Sequence, residues 1–114
     1  MRTEMLQDVI QDAKAFLRSI DAGILSTLHD IDGEAFPFGS MCPFVLSLEG
    51  EIIILISDIA MHTKNIKGDD KVAFTVFNPN AEYKQGSGRI SLVGRATLVE
   101  DESERYIQVR ERYL

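Results

Sequence analysis

The chain has 114 residues, 45% of them hydrophobic, with one cysteine and a formal net charge of −6. That length supports one domain with its own core, and the mixed charge with ample apolar content excludes a disordered chain. The acidic balance argues against general nucleic-acid binding, and a lone Cys42 excludes an intrachain disulfide or a cysteine zinc site.

No apolar run approaches the ~20 residues that span a bilayer, and the opening residues lack the pattern of a leader, so the sequence reads as cytoplasmic. It shows no repeat, low-complexity tract or linker, so the expectation is a single domain over 1–114.

Residues 4–20 place Met5, Leu6, Val9, Ile10, Ala13, Phe16, Leu17 and Ile20 at helical spacing, with Glu4, Asp8, Asp12, Lys14 and Arg18 opposite. AGILSTL (22–28) reads as a buried strand, and Asp32-Gly33 as a hairpin turn. FGSMCPFVLSL (38–48) reads as a second strand, in which Pro43 predicts an irregularity or an exposed edge. Glu49-Gly50 turns the chain into EIIILIS (51–57), the clearest strand signal in the sequence. A short helix is expected over 59–67, with Asp58 as its N-cap. KVAFTVFN (71–78) is another strand, NPNAEYKQGSG (78–88) a polar loop, and RISLVGRATLVE (89–100) a long strand with Gly94 as a bulge or close approach. Asp101 and Glu104 are placed like a capping pair before a closing helix. Short strands, tight turns and a helix at each end predict a mainly β (α+β) fold, a small antiparallel barrel, because a single sheet cannot hide both faces of IIILI.

Two stretches could carry chemistry. In the first, ISDIAMHTKNI, a strand runs into a helix start that offers free backbone N–H groups and a favourable dipole. Ser57, His62, Thr63 and Lys64 add side-chain donors there, and a phosphate would suit them; a plain capped helix with solvated polar residues is the other reading. In the second, GSMC (39–42), small residues allow a flat ligand close to the backbone, or simply face a crowded core. His62 and His29 are the only histidines, and neither has a second ligand at metal spacing such as HxxxH. No GxSxG elbow and no Walker-type loop is present, QGSGR (85–89) is a weak glycine signal, and Cys42 has no neighbouring base.

The ordered set PFGSMCPFVL, IIILISDIAMHTKNIK and GRISLVGRATLVEDESERY resembles the pyridoxamine 5′-phosphate oxidase-like family of FMN-binding split barrels, nearest its haem-utilisation (HugZ-type) branch. The resemblance spans about residues 5–114. It implies a six-stranded antiparallel split β-barrel with an N-terminal and a C-terminal helix, acting as a homodimer with FMN at the subunit interface. It places His62 where the family's oxidases hold the phosphate with a lysine, and Ser40 where they use an arginine, with Ser57, Thr63 and Lys64 flanking. Strand 40–45, with Ser40, Met41 and Cys42, would lie along the flavin, and Arg89 falls where a glutamine reaches it across the interface. The Ser-Arg-Lys clamp of those oxidases reads Ala60-Met61-His62 here, with less fixed positive charge. The Trp and Arg that hold pyridoxamine phosphate have no counterpart, so vitamin-B6 oxidation is not expected. The branch's glycine-rich haem-binding segment would follow Leu114. The resemblance thus implies, first, an FMN-dependent oxidoreductase acting on a small molecule. Second comes a haem-binding or haem-degrading protein with His62 or His29 as ligand, and third a non-catalytic flavin-binding dimer.

Overall fold

The computed structural model describes residues 11–78, 80 and 88–99. A helix over 11–18 (α1) leads into β1 (Ala22–Ile31) and β2 (Glu34–Pro43). Two short strands follow, β3 (Val45–Leu46) and β4 (Ile52–Ile53), then helix α2 (Met61–Gly68), β5 (Lys71–Phe77) and β6 (Arg89–Arg95). The strands form a four-stranded sheet in the order β2-β1-β5-β6 and a separate β3-β4 pair, with every pairing antiparallel. The mainly β antiparallel expectation therefore stands, while the described strands form two sheets and not one closed barrel. The expected closing helix lies outside the described residues, as do the first residues of the N-terminal helix and most of the polar loop after β5.

The β1–β2 hairpin follows directly from its turn chemistry. Asp32 and Gly33 both have positive φ, 52° and 85°. That is the two-residue turn whose twist matches antiparallel strands, and it locks Ile31 opposite Glu34. Side chains then alternate. Leu25, Thr27 and His29 share one face with Phe38, Ser40 and Cys42, while Met41, 76% exposed, points the other way. β2 is an edge strand and ends at Pro43, as a residue with no N–H requires.

The core gathers Leu17 of α1, Leu25, Cys42, Phe44, Leu46, Phe74 and Val76. Phe44 and Phe74 meet edge to face with centroids 5.1 Å apart. β1 and β5 approach closely at Gly23, where a Cβ would stand 2.8 Å from both the Phe74 ring and the Thr75 carbonyl oxygen. α1 buries Leu17, its Lys14 stem lies over the Gly50 turn, and Arg18 donates to the Ser47 carbonyl.

Three local expectations are corrected. EIIILIS pairs only at Ile52–Ile53. Continuing the Val45↔Ile53 register would set Ile54 against Phe44 and Leu55 against Pro43. Phe44 gives its N–H to the Asp21 carbonyl, and proline has none to give, so the ladder stops. The N-cap of α2 is Ala60, without a side-chain cap, and not Asp58. Ser57 builds the helix entry instead: its hydroxyl accepts from the Ile59 N–H and its carbonyl from Ala60 N–H and Thr63 Oγ1. Gly94 is no bulge, since it pairs with Val72 in an unbroken β5–β6 register that ends at Arg95.

Candidate functional site

Helix α2 carries few apolar residues, with only Ile66 packed against the core. Polar contacts hold it to the β1–β2 hairpin. Thr63 and Asn65 are buried, and positions 62 and 65 lie on one helix face, three residues apart. From that face, His62 Nδ1 meets Ser40 Oγ of β2 at 3.0 Å. Asn65 Nδ2 donates to Thr27 Oγ1 at 3.0 Å, and Asn65 Oδ1 meets His29 Nδ1 at 2.9 Å. Thr27 Oγ1 in turn donates to the Phe38 carbonyl at 3.4 Å. His29 also packs against the Phe38 ring, with centroids 5.7 Å apart.

Both histidines of the chain therefore stand on one seam between helix and hairpin. Each uses Nδ1 for a protein partner. Neither Nε2 has a partner among the described residues, and no buried side-chain nitrogen or oxygen is left without one. Both Nε2 atoms thus reach solvent. A nitrogen of this kind can ligate a metal centre, or donate or accept a hydrogen bond.

The structure brings together some of the residues singled out in the sequence and separates others. Ser40 and His62 touch, and Ser57 and Thr63 are joined at the helix entry. Lys64 is exposed on α2. Met41 points away from this face, and Cys42, 1% exposed, belongs to the core, where burial pushes its thiol pKa up. Arg89 opens β6, at the sheet edge opposite β2. Three strand spacings, about 14 Å, separate those edges within one chain. Sequence reasoning gave Asn65 and Thr27 no role in the site. An asparagine three residues after a histidine in a short, polar helix was the available signal. Among the described residues no three of His, Cys, Asp and Glu gather to hold a metal ion, and no helix is long and apolar enough to cross a membrane.

A small antiparallel fold with a short helix seated on its first hairpin defines the structural class, and solved structures share it. The structure of HutZ from Vibrio cholerae, described as a haem storage protein, superimposes with a TM-score of 0.75 at 28% identity, covering 90% of this chain and 71% of that one. A haem-binding protein from Mycobacterium smegmatis gives a TM-score of 0.70 at 25% identity, over 87% of this chain and 40% of that one.

Residues 9–114 match the family model described as pyridoxamine 5′-phosphate oxidase, and the chain belongs to that family. Its relatives include the chloroplastic haem oxygenase HOZ of Arabidopsis thaliana, 30% identical over 92% of this chain and 31% of that protein. The haem oxygenase HutZ of Vibrio cholerae is 33% identical over 72% of this chain and 47% of that protein. The chain thus spans less than half the length of these curated relatives. The likeness to the haem-utilisation branch stands. The expectation of an FMN-dependent oxidoreductase does not, because these relatives are named for haem. The site agrees with that correction: Ala60-Met61-His62 supplies no fixed cation, and Ser40 is engaged by His62.

Proposed function

We propose that this chain is a haem-binding domain, and that it holds haem against the seam between α2 and the β1–β2 hairpin. The observation that carries the reading is the pair of imidazoles on that seam, each with Nδ1 held by the protein and Nε2 open. The names of the relatives support it. The donor set fits: haem iron takes histidine as an axial ligand, and a ligating imidazole is oriented through its other nitrogen. Apolar side chains nearby, Phe36 of β2 with Ile59 and Met61 at the start of α2, suit a porphyrin edge.

Bound haem would supply the iron centre at which oxygen chemistry takes place. The chain's own part is to hold and orient. His29 and His62 are the candidate ligands. Ser57 and Lys64 at the helix entry suit a propionate, as does Arg89 if a second subunit brings it near, while Thr63 braces the entry from its buried position by donating to the Ser57 carbonyl and Ser40 holds His62 in place. Cys42 supports the hairpin from beneath. A homodimer is part of the proposal, with the two sheets as halves of a split barrel. Met41, Leu48, Leu55, Val93 and Leu98 are exposed on the single chain and need cover.

The test is a haemin titration of the purified chain followed at the Soret band, with light scattering on the same sample. Saturable uptake at about one haem per chain by a dimer is expected. A folded protein that shows no saturable Soret change refutes haem binding, and a stable monomer at micromolar concentration refutes the dimer.

A further inference from the structure

The sheet and α1 are held by apolar burial, through Leu17, Leu25, Cys42, Phe74 and Val76. Helix α2 is held differently. Its buried residues are Thr63 and Asn65, both polar. Ile66 packs against the core and is only partly buried, while Ile59 and Met61 at the helix start are exposed. Three side-chain hydrogen bonds seat α2 on the hairpin: Asn65 to Thr27, Asn65 to His29, and His62 to Ser40. They join the two elements whichever partner donates. No ion pair among the described residues links α2 to the sheet.

The two ends of the helix are tied to themselves. At the entry, Ser57 accepts from the Ile59 and Ala60 N–H groups and from Thr63 Oγ1, and the Lys64 N–H gives to the Ala60 carbonyl. At the exit, the Asp69 N–H gives to the Asn65 carbonyl. Each of these bonds closes inside residues 57–69, so the segment keeps them all when it moves.

Lifting this segment off the hairpin therefore breaks the three seam bonds and bares the Ile66 contact. Water replaces hydrogen bonds of this kind, so the net loss for each is small. Baring a core side chain, by contrast, costs in proportion to its apolar area. Segments with few buried apolar contacts open at a lower free energy than the whole fold. We propose that residues 57–69 form a strap, which lifts from the hairpin as one unit while the sheet and α1 stay folded. Its opening uncovers the hairpin face that carries Thr27, His29, Phe38 and Ser40. In the closed state Thr27 is 2% exposed, so the strap controls access to that face. The inference goes beyond the haem reading and stands whatever ligand the chain takes.

Native-state hydrogen exchange on the full chain, followed by NMR at several urea concentrations below the unfolding transition, tests it. The α2 amides should be at least about a hundredfold less protected than the core amides of β1 and β5. Their opening should also respond to urea with less than about a third of the slope, because lifting the strap exposes little surface.

Two variants separate the strap from global unfolding. Gly23→Ala strains the β1–β5 contact, which is present with the strap closed or lifted. It should lower β1 and β5 protection roughly 5- to 30-fold and leave α2 within about twofold of wild type. Asn65→Ala should lower α2 protection at least about tenfold, because two of the three seam bonds are lost. Wild-type α2 amides with the protection and urea slope of β1 and β5 overturn the proposal, and that comparison needs no variant. Equal losses in α2 and β1 on Gly23→Ala overturn it as well, and unchanged α2 protection in Asn65→Ala overturns the part given to the seam.

Discussion

Replacing Asn65 with alanine tests how the short helix is held. Asn65 is buried, and its side chain makes two hydrogen bonds, to Thr27 Oγ1 at 3.0 Å and to His29 Nδ1 at 2.9 Å. Each is worth about 1 kcal/mol net, with some additional loss because Thr27 is left a buried oxygen with one partner fewer. Alanine returns roughly 0.6 kcal/mol through better helix propensity. The expected net loss is about 2 kcal/mol. With unfolding entropy near 2.1 cal/mol/K per residue over 114 residues, the melting midpoint should fall by about 8 °C. Urea denaturation followed by circular dichroism gives the free energy, with an unchanged m-value as the check that the folded state is intact. A cycle with Thr27→Val should return a coupling of about 1 kcal/mol, since the two side chains share one bond. A loss under about 0.5 kcal/mol, or no coupling, would mean that Ile66 and the backbone hold α2 without the polar seam, and the reasoning would fail.

Gly23→Ala should destabilise by about 1–2 kcal/mol. The new Cβ would sit 2.8 Å from the Thr75 carbonyl oxygen, a backbone atom that cannot swing aside, and the overpacking outweighs the entropy gained from losing a glycine; a neutral or raised midpoint in thermal melts would contradict the close approach of β1 and β5. Cys42 should resist thiol reagents in the folded protein and react at once in urea, because it is 1% exposed and burial raises its pKa above the ordinary 9.0. The sign of the linked pH effect follows: the folded state keeps the thiol proton that the unfolded state sheds, so Cys42's share of stability is present below pH 9.0 and is lost as pH rises through the raised folded value. Comparing wild type with Cys42→Ala across pH 7–10 should show that extra alkaline loss only in the wild type. Asp70→Ala should cost about 0.5 kcal/mol and nothing in high salt, because its 2.6 Å pair with Arg95 is exposed on both sides.

Much of the hairpin was legible from residue chemistry. Asp32-Gly33 demands positive φ at two successive positions, and few turns other than a two-residue hairpin offer that. The alternation in β1 and the proline that ends β2 are equally local signals. EIIILIS misled for a physical reason: a run of isoleucines records an environment, whereas a strand needs a partner ladder. The partners here are Pro43, without an N–H, and Phe44, whose N–H is taken by Asp21. The same limit applies to Asp58. Its position suited a cap, but Ser57 makes the entry turn.

The candidate site divides in the same way. The sequence by itself determined that polar side chains crowd the start of α2, that residues 60–62 carry no fixed charge, and that the chain has two histidines. It also carried the family likeness, though the activity first drawn from that likeness was the wrong one. Only the tertiary structure decided that both histidines face one seam, 33 residues apart in sequence yet joined to the same helix-and-hairpin contact. It alone linked Thr27 and Asn65, 38 residues apart, and set Asn65 against His29 as well. Local sequence sets which groups can donate and accept. Which of them meet is decided by packing α2 across the hairpin, and that packing depends on residues distant along the chain.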